Sequence, residues 1–248
     1  MPANPSNQDY AWDEFDPEAY VAQYYAVHSP DDDLALSLCC AALQRATDRT
    51  GPLDLVDVGT GPSLIPLLAA APFTRSITAW EFGARNVEWL RAQLSQPPLR
   101  PEWAHYWSLV RSGMPARLDL PADPTVALAA KTHVHRGSIF DLPERRWTAA
   151  TMFFCAESIT ERQDEFQRAC ARFAGCVAAG GTLVAAFLAR SSGYDVGDQA
   201  FPALTVSEKQ IRDTFGGLAV NIATREIGSG GDDVHGYSGM IFLTAEAR

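Results

Sequence analysis

The sequence has little that would carry it across a membrane or bind it to one. Its most apolar run, Leu64 to Phe73, contains Pro66 and Pro72 and falls short of the roughly 20 residues needed to span a bilayer. The opening "MPANPSNQDYAWDEFDPEAY" has neither the basic region nor the apolar core of a secretory signal. Cysteine is sparse: Cys39, Cys40, Cys155, Cys170 and Cys176 form no C-x-x-C pair. An odd number at irregular spacing argues against a disulfide framework and predicts reduced thiols, hence a cytoplasmic protein. Positive charge is also short, with 20 Lys and Arg against 30 Asp and Glu and a formal net charge of −10. Such a chain repels phosphate backbones and anionic lipid. Nucleic acid and membrane are therefore poor partners, and a small ligand, even a cationic one, suits the chain better. Internal repeats and low-complexity tracts are absent.

What is present is an ordinary globular composition. The 248 residues, 47% of them hydrophobic, suffice for one large α/β domain or two small ones. Two helices are predicted first. "DPEAYVAQYYAVHS" opens on Asp16 as N-cap with Pro17 at the first helical position. "DDDLALSLCCAALQRATDR" follows, capped by Asp33 or a neighbour and stopped by Gly51. From Leu53 strands and helices alternate. Strands are expected at Leu53–Val58, Ser76–Phe82, "THVHRGS", "TAATMFFCA" and "TLVAAFLAR". Helices are expected at Ser63–Ala71, Ala84–Ser95, Glu161–Ala178 and from Ser207. "LAVNIATREIG" and "GYSGMIFLTAEA" read as an antiparallel hairpin at the sheet edge. "QPPLRP" opens an insertion of one helix and a loop. The pattern implies a doubly wound, mostly parallel sheet with helices on both faces.

The turn after the first strand, "DVGTGPS", has Gly59 and Gly61 but Leu64 where the dinucleotide fingerprint needs its third glycine. It also lacks the lysine of a phosphate-binding loop. A second feature narrows the ligand. Glu81 ends the second strand about 20 residues on, where a carboxylate can accept both hydroxyls of a ribose. D-x-G-x-G followed by a strand-end acid describes the S-adenosyl-L-methionine pocket of class I methyltransferases.

Other segments extend that reading. "FDPEAYVAQYY" (15–25), "LVDVGTGPS", "FCAESI" (154–159), "RSSGYDVGDQAF" (190–201) and "GGDDVHGYSGMIF" occur in that order. Together they resemble the family containing nicotinamide N-methyltransferase, phenylethanolamine N-methyltransferase and thioether methyltransferase, over nearly the whole chain. The resemblance implies a single Rossmann-like methyltransferase domain: a helical lid over 1–50, and a core over 51–248 with the insertion near 97–131. It implies that Tyr20, Tyr25, Gly59, Thr60, Gly61, Ser63, Glu81, Phe82, Asn86, Ser138 and Ile139 hold the cofactor. Ser138 stands where the family usually has an aspartate, for which Asp141 is a substitute candidate. Substrate contacts are implied for Tyr24, Phe154, Glu157, Phe187, Ser191, Tyr194 and Asp232. Phe187 and Ala203 align with polar residues used for nicotinamide, which disfavours nicotinamide as the substrate.

The expected activity is methylation of a small molecule, an amine or N-heteroaromatic compound, by a monomer. Glu157, Asp232 and Tyr20 are the expected catalytic residues. An amine arrives mostly as ammonium and must lose a proton before it attacks, which carboxylates can assist. Methylation of a thiol or thioether, or cofactor binding without catalysis, are the alternatives. His133 and His135 share a strand face, but no third ligand has matching spacing, and no metal is expected.

Overall fold

The computed structural model describes residues 5–115, 118–228 and 237–248. Two 3-10 turns, Asn7–Asp9 and Trp12–Glu14, precede helix α1, Pro17–Tyr24. The Asp16 side chain caps α1, accepting the N–H groups of Glu18 and Ala19 at 3.0 Å each. Helix α2, Pro30–Thr50, begins earlier than its aspartates suggest. Ser29 is the N-cap, its Oγ accepting the Asp31 N–H at 3.2 Å, and Pro30 takes the first position. Asp31, Asp32 and Asp33 thus fall in the first turn, where negative charge suits the helix dipole. Gly51, at φ 80°, ends the helix.

The remaining elements are β1 (Leu53–Val58), α3 (Ile65–Ala70), β2 (Thr74–Glu81), α4 (Ala84–Ser95), α5 (Pro101–Gly113), α6 (Thr125–Lys131), β3 (Thr132–Arg136), β4 (Trp147–Phe153), α7 (Gln163–Gly175), β5 (Val177–Leu188), β6 (Tyr194–Val196), β7 (Gln199–Phe201), α8 (Glu208–Gly216), β8 (Ala219–Ile227) and β9 (Met240–Ala247). The main sheet has the order β3-β2-β1-β4-β5-β9-β8. Strands β1 to β5 pair in parallel, and β9 runs antiparallel between β5 and β8. This is the doubly wound, Rossmann-like sheet of class I methyltransferases. Strand order reverses at β1, so the turn after β1 opens into the crevice where such sheets bind ligands.

Period-two alternation divides the core. Leu53, Leu55, Val184 and Ala186 face the layer of α2, α3 and α4, while Val56, Val58, Leu183, Ala185 and Phe187 face α7 and α8. Two expectations need correction, and one element went unread. The insertion holds two helices, α5 and α6, rather than one. Helix α7 stops at Gly175, and the chain from Val177 through Gly180-Gly181 already belongs to β5. Val177 pairs with Trp147, and Gly180, at φ 77°, accommodates the irregular register before Thr182. The β6–β7 hairpin was not legible as strands; its three-residue arms pack against Trp12 and Phe15 of the N-terminal segment.

Candidate active site

Two adjoining cavities open at the carboxyl ends of the parallel strands. The first encloses about 1090 Å³ with its mouth. The β1–α3 turn forms its floor. Gly59 and Gly61 have φ of 64° and 57°, a region that favours glycine. A Cβ on Gly61 would have only the Gly59 carbonyl near it, at 3.8 Å, so its free side faces open space. Glu81, buried at the end of β2, grips the turn from the side. Its Oε2 accepts the Gly61 N–H at 2.8 Å, and its Oε1 accepts from Gly83 N–H at 2.8 Å and Asn86 Nδ2 at 3.3 Å. Burial raises its pKa, and those backbone donors oppose the rise.

Beneath the turn, Asp57 is fully enclosed. Its Oδ1 accepts from Thr151 Oγ1 at 2.6 Å, and burial pushes the carboxyl up to about 7. Among the described residues, Asp57 Oδ2 and Asn86 Oδ1 are buried without a hydrogen-bond partner, and both residues line this cavity. Buried polar atoms of that kind usually have a partner, which a bound molecule can supply.

All of the residues expected around the cofactor line this first cavity: Tyr20, Tyr25, Gly59, Thr60, Gly61, Ser63, Glu81, Phe82, Asn86, Ser138 and Ile139. The Ser138 hydroxyl is engaged locally, accepting the Phe140 N–H at 3.2 Å. Asp141 is exposed and outside the cavity wall, so it does not stand in for the missing aspartate. Trp12, Phe15 and Asp32 also line the cavity. Sequence reasoning missed them; the run of three aspartates read as a helix cap and hid Asp32.

The second cavity, of about 1110 Å³ with its mouth, is walled by aromatic side chains. Tyr24, Phe154, Ser191 and Tyr194 line it, as expected, together with Tyr20, Asp32, Ser158 and Tyr237. The Tyr20 ring lies 4.6 Å from Tyr24 and 6.0 Å from Tyr25, centre to centre. The Tyr194 hydroxyl donates to the Ser158 carbonyl at 3.3 Å. Phe154, at φ 52°, leaves the end of β4 in a left-handed conformation.

Two expected substrate contacts lie elsewhere. Phe187 is fully buried on the opposite sheet face, in ring contact with Phe166 and Phe215. The alternation of β5 decides this: Leu188 reaches the cavity, and its neighbour Phe187 must point away. Glu157 is fully buried behind Phe154 and Ser158 and lines neither cavity. Its Oε1 accepts the Leu188 N–H at 2.8 Å, its Oε2 has no partner among the described residues, and burial pushes the carboxyl up to about 7. Asp232 lies outside the described residues. Among the described residues no cluster of metal-ligating side chains occurs, and no helix is long and apolar enough to cross a membrane.

Known proteins match this picture. The NNMT/PNMT/TEMT family model matches residues 5–248. Phenylethanolamine N-methyltransferase of Bos taurus is 27% identical, over 96% of this chain and 90% of that protein. Indolethylamine N-methyltransferase of Mus musculus is 25% identical, over 81% of each. Among solved structures, magnesium protoporphyrin IX methyltransferase from Synechocystis with bound SAM superimposes with a TM-score of 0.62 at 11% identity, covering 100% of both chains. A Burkholderia thailandensis 1,6-didemethyltoxoflavin-N1-methyltransferase with S-adenosylhomocysteine gives 0.53 at 15% identity, covering 100% of this chain and 92% of that one. At those identities the structural likeness concerns the fold, and the family assignment rests on the near-complete sequence match. The chain belongs to the NNMT/PNMT/TEMT family and is an S-adenosylmethionine-dependent methyltransferase acting on a small molecule.

Proposed function

We propose that the protein methylates the nitrogen of a small amine carried on a flat, aromatic body. The first cavity is the cofactor's place. The residues fit it: the backbone beside Gly61 is open to close approach, the Glu81 carboxylate stands at the strand end, and Asn86 Oδ1 awaits a donor. When bound, S-adenosylmethionine supplies an electrophilic methyl group on a positively charged sulfur. The protein's part is to bind, align and exclude water. Tyr20 and Tyr25, on and just after α1, cover the cavity, and a reacting nitrogen must be held about 3–3.5 Å from the methyl carbon.

The observation that carries the amine reading is the second cavity. Its wall of Tyr20, Tyr24, Phe154 and Tyr194 suits an aromatic body, and a carboxylate faces into it. Such a wall attracts a cation by ring and charge together. The two N-methyltransferase relatives act on amines by name, which agrees. With five buried free cysteines and net charge −10, we place this activity in a monomeric cytoplasmic protein.

A methyl-transfer assay with labelled cofactor tests the reading. Phenylethanolamine, indolethylamine, nicotinamide and a simple thioether are offered separately. Turnover of an aromatic amine, at least about tenfold faster in kcat/KM than the thioether, is expected; that ratio is about 1.4 kcal/mol in transition-state binding. Preferred methylation of the thioether would defeat the reading and leave the methyltransferase assignment in place.

A further inference from the structure

The two cavities share Tyr20, Tyr25, Asp32, Phe154, Ser158 and Tyr194 in their walls. A methyl group that leaves one cavity for the other crosses at these residues. Asp32 is the only carboxylate of the set and, among the described residues, the only acid that lines the second cavity. It is 8% exposed. Its place follows from the helix start at Ser29-Pro30, which turns Asp32 inward while Asp33 pairs with His105 at 2.8 Å. The Tyr106 hydroxyl donates to Asp32 Oδ2 over a long 3.4 Å. That leaves most of the carboxylate's accepting capacity for a ligand.

Resting on the amine reading, we infer that Asp32, rather than Glu157, is the carboxylate that binds the acceptor's ammonium and takes its proton. The N–H bond breaks and the proton goes to the Asp32 carboxylate. The freed nitrogen pair forms the new N–C bond as the methyl carbon leaves sulfur, which keeps its electron pair. The products are a neutral thioether, a methylated ammonium and a neutral Asp32 that returns its proton to water at the cavity mouth. Charge is conserved, and no further reactant is needed.

The surroundings suit the task. Burial, with Asp31 and Asp33 alongside on α2, raises Asp32 to about 7, and the Tyr106 hydroxyl of α5 opposes the rise. Tyr20 and Tyr25 from the α1 segment, His28 just ahead of α2 and Tyr237 ahead of β9 share the cavity wall with it. A group of that basicity both accepts and releases protons near neutral pH.

The test is calorimetric titration of the full chain, first with S-adenosylhomocysteine and then with phenylethanolamine, indolethylamine and a neutral alcohol analogue of each. Wild type, Asp32→Asn, Glu157→Gln and Tyr106→Phe are compared from about pH 5.5 to about pH 8.5, spanning the range where a buried acid of this kind titrates. Asp32→Asn should weaken amine binding about 10–100-fold, as loss of a charged hydrogen bond does. It should leave the alcohol, and S-adenosylhomocysteine to within about twofold, unaffected. Wild-type amine affinity should fall on the acid side as Asp32 is protonated, and Asp32→Asn should lose that limb. Tyr106→Phe removes a donor to the charged carboxylate, so its limb should move to higher pH, an effect that packing alone does not produce.

Unchanged amine binding in Asp32→Asn, or a loss confined to S-adenosylhomocysteine, would overturn the assignment. So would a loss confined to Glu157→Gln. If Asp32→Asn does not fold, an unmoved limb in Tyr106→Phe overturns it. A wild-type chain that binds the alcohols but neither amine defeats the amine reading itself, and this assignment with it.

Discussion

Gly59 has no room for a side chain. A Cβ there would lie 2.2 Å from Cys155 Sγ and 2.7 Å from Cys155 Cβ, and its φ of 64° is unfavourable for any L residue. The β1–α3 turn is therefore held from below by a cysteine as well as from the side by Glu81. Gly59→Ala should cost about 2–4 kcal/mol, combining overpacking with the left-handed penalty, and should weaken S-adenosylhomocysteine binding. Adding Cys155→Gly should recover the overpacking share and leave the backbone share. Urea unfolding of both single variants and the double checks this; strictly additive losses would show that the clash is not the cause. At this scale the sequence was informative wherever backbone chemistry dictates the residue. The two glycines and the acid one strand later announced the cavity. It was uninformative where the facing of a side chain decides. Phe187 and Leu188 are equally apolar, and only the pairing of β5 with β4 and β9 says which one meets the ligand. Asp32 was hidden by its neighbours, since three aspartates in a row read as a helix cap.

The N-terminal segment and the β6–β7 hairpin form one unit. Trp12 and Phe15 lie 5.2 and 4.9 Å from the Phe201 ring, centre to centre, and Tyr194 stacks on the same ring at 5.6 Å. Gln199 reaches Glu14 at 3.0 Å. The hairpin thus braces α1, whose Tyr20 covers the first cavity. We propose that α1 is a lid held by its partner hairpin, and its exchange behaviour tests this. Binding of S-adenosylhomocysteine should slow amide exchange through residues 12–25. Phe201→Ala should speed that exchange at least about tenfold in the bound protein, because deleting a buried aromatic ring costs several kcal/mol that here fall on a local opening. The β1 and β4 amides should keep wild-type protection. Equal exchange of residues 12–25 in both proteins would show that the hairpin is not the brace. Elements with a clear cap or apolar run were readable from the sequence, as the start of α1 at Asp16-Pro17, the strand β1 and the helix α4 demonstrate, although α1 stops at Tyr24, short of the expected end. The hairpin was not: arms of three residues carry no period, and it is stable only because aromatics from the other end of the chain cover it.

Over the whole molecule, three carboxyls sit where burial opposes their charge. Asp32, Asp57 and Glu157 are each buried, and burial raises each to about 7 from ordinary values of 3.8, 3.8 and 4.5. A carboxyl whose folded pKa lies above its unfolded one stabilises the fold when protonated, and that contribution is lost as pH rises through the folded value. The window therefore runs from about pH 4 to about pH 7, and stability should fall across it. Ion-paired acids such as Asp54 and Glu102, lowered by Arg75 and Arg100, act with the opposite sign but below this window. The ligand-free chain should thus lose more than about 1 kcal/mol between roughly pH 5 and pH 8, since a tenfold change in proton affinity is worth about 1.4 kcal/mol and relaxation of buried sites returns part of it. The net charge of −10 works in the same direction, since self-repulsion grows as carboxylates ionise. Salt separates the two: it screens charges spread over the surface and barely reaches buried ones. Urea unfolding across that range, at low salt and at about 0.5 M, should keep most of its slope in salt. Asp57→Asn keeps an acceptor for Thr151 and removes one titrating group, so it should flatten the slope. A slope that vanishes in salt would assign the effect to surface repulsion, and a slope unchanged in Asp57→Asn would show that this carboxyl, buried beneath the glycine turn, does not titrate as its enclosure requires.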